Sequence, residues 1–147
     1  MAVAPFERGE KGEIPYRIQQ DLQSTMQDFV GIVRNERDMI EALGQLEQLK
    51  ARADHMGVSG HREYHSGWHT ALDLRNLLTV SEAIARSAIE RKESRGGHFR
   101  EDHPAHDKEW GKVNVQVTRA PDGSVTVRRV PIPEMPEHLK QVIAEMK

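Results

Sequence analysis

The chain of 147 residues contains no cysteine, which excludes a disulfide framework, a thiolate metal site and a cysteine nucleophile. This composition fits a reducing compartment. The amino terminus lacks an apolar signal core, and no stretch approaches the ~20 apolar residues of a membrane-spanning helix. We therefore expect a soluble chain without direct membrane insertion, which reaches a membrane only through a partner.

Neither sign of charge dominates, since 21 lysines and arginines face 23 acids and leave a formal net charge of −2. This balance argues against bulk attraction to nucleic acid. Phosphate-binding signatures are also missing, because no G-x-G-x-x-G follows a strand-like run and no Walker pattern occurs. The chain is therefore predicted to supply no dinucleotide-binding fold of its own.

The chain does contain apolar residues at helical spacing, within a length that suits one domain. This pattern predicts three long helices within roughly 16–34, 36–55 and 68–93. Pro15 suits the first turn of the first helix, because its fixed φ is already helical. Asn35 suits the N-cap of the second helix, where its side chain can accept a backbone hydrogen bond.

The third predicted helix has the broadest apolar face, which indicates packing by two neighbours at once. Thr70 and Asp73 match a capping box, although Ser66 offers an earlier start. Gly96 and Gly97 are expected to end the helix. The side chains expected in the core are Leu74, Leu77, Leu78 and Ile84 of this helix, with Leu22, Phe29, Leu43 and Leu46 of the other two.

Two runs with alternating valines follow the helices, Val113–Arg119 and Ser124–Val130. The turn composition of Pro121-Asp122-Gly123 between them predicts a β-hairpin, which must lie against the helices or another domain. The predicted fold class is mainly α, a three-helix antiparallel bundle followed by a β-hairpin and an extended C-terminal tail. Its segments are an irregular lead-in over 1–15, the bundle over 16–110 with a polar turn at 93–104, and the hairpin with a C-terminal strap and a short last helix over 111–147.

Histidines flank the third helix in two groups: His55, His61, His65 and His69 before it, and His98, His103 and His106 after it. No pair matches the zincin motif, so solvated or hydrogen-bonding histidines are favoured over a zinc site. Ser94, His98 and Asp102 look like hydrolase parts, but the glycines between them break the helix that would align them. We predict no catalytic, cofactor-binding or metal-ligating residue in this chain.

Two side chains have both a structural and an interface interpretation. Trp110 is favoured as a ring that covers the end of the bundle, over an exposed interface residue. Arg95 is expected to bond helix-end carbonyls or to pair with Glu93 or Asp102, and it can also dock the domain against a neighbour.

The most informative segment is the run 93–104, which reads E-S-R-G-G-H-F-R-E-D-H-P. It resembles the E-S-R-G-A/G-H-x-R-x-D-x-P signature in the C-terminal helical domain of flavoprotein subunits of the succinate dehydrogenase/fumarate reductase family. The similarity is sharpest from Trp68 to Trp110. The segment DLQSTMQDFVGIVRNE is similar to the first bundle helix of that family, and the hairpin with its PIPEMP strap resembles the family's ending.

This resemblance implies a parent subunit whose large amino-terminal domain binds FAD and whose capping domain closes over a dicarboxylate. Electrons pass from the flavin to an iron–sulfur subunit and a quinone-reactive membrane anchor. The family's flavin-linking histidine and catalytic residues lie in those other domains, so the resemblance implies that this chain alone is inactive and holds no cofactor. It further implies a cytoplasmic location, or a peripheral one on the cytoplasmic face of the inner membrane through partner subunits.

The resemblance also implies that the turn faces the flavin domain. The interdomain candidates are Glu93, Ser94, Arg95, Gly96, His98, Arg100, Asp102 and Pro104. In the chain alone, Arg95, Arg100 and His98 are expected to project together into solvent, with Asp102 pairing one arginine. Three alternatives stay open: the same domain of an L-aspartate oxidase or adenylylsulfate reductase, an independent helical interaction module, and a histidine-based metal-binding protein.

Overall fold

The computed structural model describes residues 3–146. Its elements in chain order are α1 (Ala4–Arg8), a 3₁₀ turn (Gly9–Lys11), α2 (Pro15–Val30), β1 (Val33–Arg34), α3 (Glu36–Ala53), α4 (Ser66–Glu90), β2 (Phe99–Arg100), a second 3₁₀ turn (Trp110–Lys112), β3 (Val113–Arg119), β4 (Val125–Pro131) and α5 (Glu137–Glu145). Helices α2, α3 and α4 pack against one another, and the β3–β4 hairpin lies against α4. The predicted class, a helical bundle followed by a hairpin, is confirmed.

Local capping explains where the long helices begin. Pro15 occupies the first turn of α2, and the Asn35 side chain accepts a 2.9 Å hydrogen bond from the backbone of Asp38, as the sequence predicts. Helix α4 begins earlier than the Thr70 capping box, so that prediction was wrong. Its N-cap is His65, whose Nδ1 accepts the backbone N–H of Trp68 at 3.1 Å.

Helix α4 also ends earlier than predicted. Its last residue is Glu90, and Arg91 adopts an extended backbone. The prediction that Gly96 and Gly97 end this helix was therefore wrong. An arginine from a later turn binds the last carbonyls of α4, as described below, and this satisfies the helix end without a glycine.

The buried core combines all three long helices. Its members are Ile18, Leu22, Val30, Ala42, Leu46, Leu49, Ala53, Met56, Ala71, Leu74, Leu78 and Ala85, with Met26, Phe29 and Leu43 packed against it. Leu74 is fully buried as predicted, but Leu77 and Ile84 are 39% and 43% exposed, so the prediction for these two was wrong. Helix α4 turns the side that carries Leu74, Leu78 and Ala85 toward its partners and leaves the flank with Leu77 and Ile84 uncovered.

The lead-in is more regular than predicted, since it forms α1 and a 3₁₀ turn before α2. It is joined to the loop after α3 by backbone bonds from Glu13 to His55 (3.1 Å) and from Gly57 to Glu13 (2.9 Å). A Cβ atom on Gly57 would lie 2.7 Å from Cα of Gly12 and 2.1 Å from the carbonyl oxygen of Gly9. This close approach requires glycine at position 57.

The hairpin agrees with its prediction to within one residue at each strand end. Strands β3 and β4 are antiparallel, and Val117 faces Val127 in the register. Gly123 has φ of 89° in the connecting turn, and the Asp122 carboxylate accepts the backbone N–H of Ser124 at 2.9 Å. The turn chemistry therefore works as the composition indicates.

Trp110 joins the hairpin to the end of the bundle, as the structural interpretation predicts. Its ring is buried, with the guanidinium of Arg91 5.2 Å from the ring centroid and that of Arg129 4.1 Å from it. Arg129 also donates a 2.7 Å hydrogen bond to Glu90 at the end of α4. Cation–π contacts and this ion pair together hold β4 on α4.

The strap and α5 extend from the hairpin, and residues 131–146 are all exposed. The predicted short last helix is present, although its apolar side chains Leu139, Val142 and Ile143 are only about half-covered. Across residues 3–146, every helix is too short or too polar to span a bilayer.

Two leucines of α4 provide a test of this orientation. Leu74→Ala should destabilise the chain by about 2–5 kcal/mol, because the site is fully buried. Leu77→Ala should have a much smaller effect, because a large part of that side chain is already in water. Urea unfolding monitored by circular dichroism measures both values. Equal losses would contradict the orientation of α4.

Candidate interdomain site

The turn after α4 is a closed loop built on a short backbone bridge. Arg95 and His98 exchange backbone hydrogen bonds of 2.8 and 3.1 Å, and Gly96 has φ of 58°, a left-handed conformation that favours glycine. Strand β2 then pairs in parallel with β1, so Arg34 lies opposite Arg100 in the register. The sequence segment that resembles the family signature is thereby drawn back against the ends of the bundle helices.

Glu93 forms the first half of the charged network in this turn. Its carboxylate is fully buried and accepts hydrogen bonds from Arg95 (2.8 and 3.1 Å), Arg91, and the backbone N–H of Asp107 (3.0 Å). Hydrogen bonding by Arg95, the main cause, lowers the pKa of Glu93 to about 2. The expected pairing of Arg95 with Glu93 is therefore observed. Arg95 also donates a hydrogen bond to the carbonyl of Asp107 at 3.0 Å.

Arg100 forms the second half of the network and is 0% exposed. Its guanidinium donates to the carbonyls of Ala88 (2.9 Å) and Ile89 (3.2 Å) at the end of α4. The other edge forms a bidentate pair with Asp102, with distances of 2.7 and 2.6 Å. A cation at this position complements the partial negative charge of the helix C-terminus.

Asp102 carries the link onward to a second helix. Its Oδ2 accepts the backbone N–H of Glu36, the first residue of α3, at 2.9 Å. Hydrogen bonding by Arg100 holds the pKa of this carboxyl well below its usual range. A carboxylate is favourable at a helix N-terminus, so one ion pair joins the negative end of α4 to the positive end of α3.

Ser94 and His98 complete the site. The Ser94 hydroxyl accepts the backbone N–H of Arg100 at 2.9 Å and donates to the carbonyl of His103 at 2.9 Å. His98 Nε2 lies 3.0 Å from the Arg91 carbonyl and therefore carries the proton, which leaves Nδ1 to accept from Arg34 at 2.7 Å. Burial, the main cause, lowers the pKa of His98.

Arg34 connects the end of α2 to the turn, so the site joins the ends of three helices. Its Nε donates to the carbonyl of Val30, the last residue of α2, at 3.2 Å. The apolar spacing predicts that Arg34 ends the first helix, so its contact with the turn was not predicted. The β-branched residues Ile32 and Val33 before Arg34 favour a strand and were the available signal that the first helix ends earlier.

The turn does not project into solvent as the sequence analysis expected. Glu93 and Arg100 point inward, because each is fully enclosed by hydrogen-bond partners, so the expected common exposure of Arg95, Arg100 and His98 was wrong. Arg95 and His98 are only partly exposed. The candidates at the surface are Gly96, Asp102 and Pro104.

The groups considered for other chemistry do not assemble. The hydroxyl of Ser94 is bonded to backbone groups, and His98 binds Arg34 and Arg91 instead of Ser94, so no hydrolase triad forms here. Possible ligand atoms of Glu36, Asp102 and His103 do lie within 4.8 Å of one another. Arg100 already neutralises Asp102, which opposes binding of a second cation there.

The Glu93 network should make the stability of the chain sensitive to acid. The pKa of Glu93 is about 2 in the folded chain, against an ordinary value of 4.5. Its contribution to the free energy of unfolding is therefore present above pH 4.5 and is lost as pH falls through about 2. Glu93→Gln should therefore lower the melting temperature most near neutral pH, with a smaller difference from the wild type in acid. Glu134→Gln, on the exposed strap, is the control and should show no such change.

His98 should act in a different pH window. Because its folded pKa lies below the ordinary 6.5, the contribution is present above pH 6.5 and is lost as pH falls toward the folded value. As pH falls below 6.5, the wild type should lose stability relative to His98→Gln. The control variant His138→Gln, on exposed α5, should show the same pH dependence as the wild type. Melting temperatures between pH 5 and 8, the usual range for histidine titration, measure the difference. A pH-independent gap would contradict the neutral, Arg34-bound imidazole.

Comparisons with known proteins agree with the resemblance in the turn. The model of the family described as "Fumarate reductase flavoprotein C-term" matches residues 19–143. The fumarate reductase flavoprotein subunit of Mycobacterium tuberculosis is 32% identical over 84% of this chain and 21% of its own length. The succinate dehydrogenase flavoprotein subunit of Coxiella burnetii is 34% identical over 88% of this chain and 22% of its own length.

A solved structure, Mycobacterium smegmatis Sdh1 in complex with UQ1, has a TM-score of 0.79 and 38% identity over 99% of this chain and 25% of that chain. An L-aspartate oxidase and an adenylylsulfate reductase also match, so the domain is shared by several related enzymes. This chain spans about a fifth of the length of the curated relatives it matches. It belongs to the family of C-terminal domains of succinate dehydrogenase and fumarate reductase flavoproteins.

Proposed function

We propose that this chain serves as the C-terminal helical domain of an FAD-dependent oxidoreductase that interconverts succinate and fumarate. The observation that carries the proposal is the family match over 19–143, which includes the bundle, the turn and the hairpin. The names of the relatives from M. tuberculosis and C. burnetii support the same substrates. In this proposal the domain contributes structure, and the redox chemistry belongs to the rest of the parent subunit.

The described residues do not fit a flavin. Within residues 3–146, one sheet is an antiparallel hairpin and the other a parallel pair of two-residue strands, so the described residues form no multi-stranded parallel sheet of the Rossmann type for a dinucleotide. No buried side-chain nitrogen or oxygen in this range lacks a hydrogen-bond partner, so no polar cradle awaits a cofactor. We therefore assign FAD to the rest of the parent and derive no chemical step through it here.

The role of this domain is to present a rigid surface to the FAD-binding domain. The network around Arg100 fixes the ends of α3 and α4, and Arg34 with His98 adds the end of α2. Of the eight signature residues, Glu93, Ser94 and Arg100 act by holding this shape. Gly96, Asp102 and Pro104 are the members at the surface, where they face the flavin domain in this proposal.

The proposal extends to the other partners of such a subunit. In the assembled complex, electrons leave the flavin through an iron–sulfur subunit, and a membrane anchor holds the complex on the cytoplasmic face of the inner membrane. The domain described here contacts that membrane only through its partners. The similarity to Sdh1 in complex with UQ1 supports such an assembly.

A purified sample of this chain should bind no FAD and catalyse neither succinate oxidation nor fumarate reduction. The physical reason is that the described residues form no dinucleotide-binding fold and assemble no acid–base site near a substrate cleft. Flavin absorbance after reconstitution and dye-coupled assays with each substrate measure both properties. A stoichiometric flavin spectrum, or turnover by the chain alone, would overturn the proposed division of roles.

The alternative within the same family is an L-aspartate oxidase or an adenylylsulfate reductase, since members of both groups match this chain. The parent polypeptide should be assayed with succinate, fumarate, L-aspartate and adenylylsulfate side by side. Turnover of succinate or fumarate alone supports the proposal. Turnover of L-aspartate or adenylylsulfate instead would assign the chain to the alternative.

A further inference from the structure

An open groove of about 410 Å³ lies along the uncovered flank of α4. Its residues are Arg34, Val80, Ala83, Ile84, Ser87, Ala88, Arg91, His98 and Val115. Val80, Ala83, Ile84 and Ser87 follow the three- and four-residue spacing of one helix face. Val115 of the hairpin lines it as well, and His98 and Arg34 bring the turn into the same groove.

This flank is apolar although α4 has already buried another apolar face in the bundle. Val80 is 56% exposed, and Leu77 and Ile84 beside it are also open to water. A helix that is apolar on more than one side is typical of an element with packing partners on each. Exposed apolar side chains that adjoin one another on a helix face make this flank a candidate interaction site.

The polar groups of the groove carry only one sign of charge. Among its described lining residues there is no carboxylate, whereas the guanidinium groups of Arg34 and Arg91 are present beside the neutral imidazole of His98. Arg91 forms an ion pair with buried Glu93, which it shares with Arg95, but Arg34 forms no ion pair with any acid in residues 3–146. Its Nε and Nη1 are bonded to helix-end carbonyls and His98, which leaves Nη2 available to an outside acceptor. The complementary surface is therefore apolar and contains one carboxylate.

We infer that this groove receives an apolar segment carrying an acidic side chain from the remainder of the same parent polypeptide, with Arg34 as the anchor for that carboxylate. The inference rests on the proposed function, because it assumes a longer parent. Relatives of this chain are about five times its length, so a large tethered surface is available at high effective concentration. Burying Arg34 next to an acid would also supply the counter-ion that the described residues lack.

The absence of cysteine makes thiol labelling a direct test. Val80→Cys places a thiol in the groove, and Ile40→Cys places one on α3, where the side chain is also 56% exposed. The two thiols fall in different tryptic peptides, 76–86 and 38–50, so mass spectrometry reads each label separately. Both should react with maleimide at similar rates in this chain. In the parent polypeptide, the Val80→Cys thiol should react at least tenfold more slowly, and the Ile40→Cys thiol should not.

Three outcomes would overturn the inference. Equal labelling of the Val80→Cys thiol in chain and parent means that the parent leaves the groove open. If the Val80→Cys thiol is already labelled slowly in the isolated chain, and light scattering gives a dimeric mass, a second copy covers the groove. Protection that appears only after partner subunits are added assigns the groove to a different polypeptide. Labelling needs no activity, so a parent that turns over other substrates can still pass this test.

The role of Arg34 is tested in the same parent. Arg34→Gln should restore fast labelling of the Val80→Cys thiol, and Arg34→Lys should preserve most of the protection because it keeps the charge. Arg37→Gln, a change on the exposed first turn of α3, is the control and should leave protection intact. Unchanged protection in Arg34→Gln, or equal loss in the glutamine and lysine variants, would overturn the carboxylate anchor.

Discussion

The ion pair between Arg100 and Asp102 is the interaction on which the geometry of the bundle depends. Burying a guanidinium is unfavourable unless every donor finds an acceptor. Here, Arg100 finds its acceptors in two carbonyls at the end of α4 and in Asp102, which in turn accepts from the start of α3. The requirement to satisfy one buried charge therefore fixes the relative position of two helix ends.

The neighbouring charges are also buried only in pairs. Glu93 is buried against Arg91 and Arg95, and Arg91 also lies over the Trp110 ring that holds the hairpin. Each charge is enclosed only because its partner is present, so removal of one member leaves another buried without compensation. Such a network contributes less to net stability than to a unique arrangement of helices, turn and hairpin.

The sequence predicted the elements of this fold better than their orientation. Asn35 and the valine alternation of the hairpin have local causes, a cap and a pleat, and both appear where predicted. Which face of α4 is buried has no local cause, because apolar residues occur around much of that helix. Periodicity therefore could not distinguish Leu74, which enters the core, from Leu77, which does not.

The turn shows a second limit of local patterns. A run of arginines, histidines and acids is typical of a solvated surface, so Arg100 was predicted to be exposed. Arg100 is buried against Glu36 and the carbonyls at the end of α4. The partner of His98 is Arg34, 64 positions away in the chain. A contact of that kind is created by the tertiary fold, so no spacing within the turn could have indicated it.

The wrong predictions for Arg100 and for Leu77 have one physical origin, because in both cases tertiary contacts decide which side chain is buried. Glu93 and Arg100 of the turn face inward, and the network around them fixes the three helix ends, whereas apolar residues on the flank of α4 face outward and stay uncovered. A rigid frame lowers the entropy lost when that flank is covered by a partner, because the helices beneath it are already in position. In the proposed docking, the buried ion pairs set the shape of the surface, and the open apolar groove, with Arg34 among its lining residues, provides the contacts.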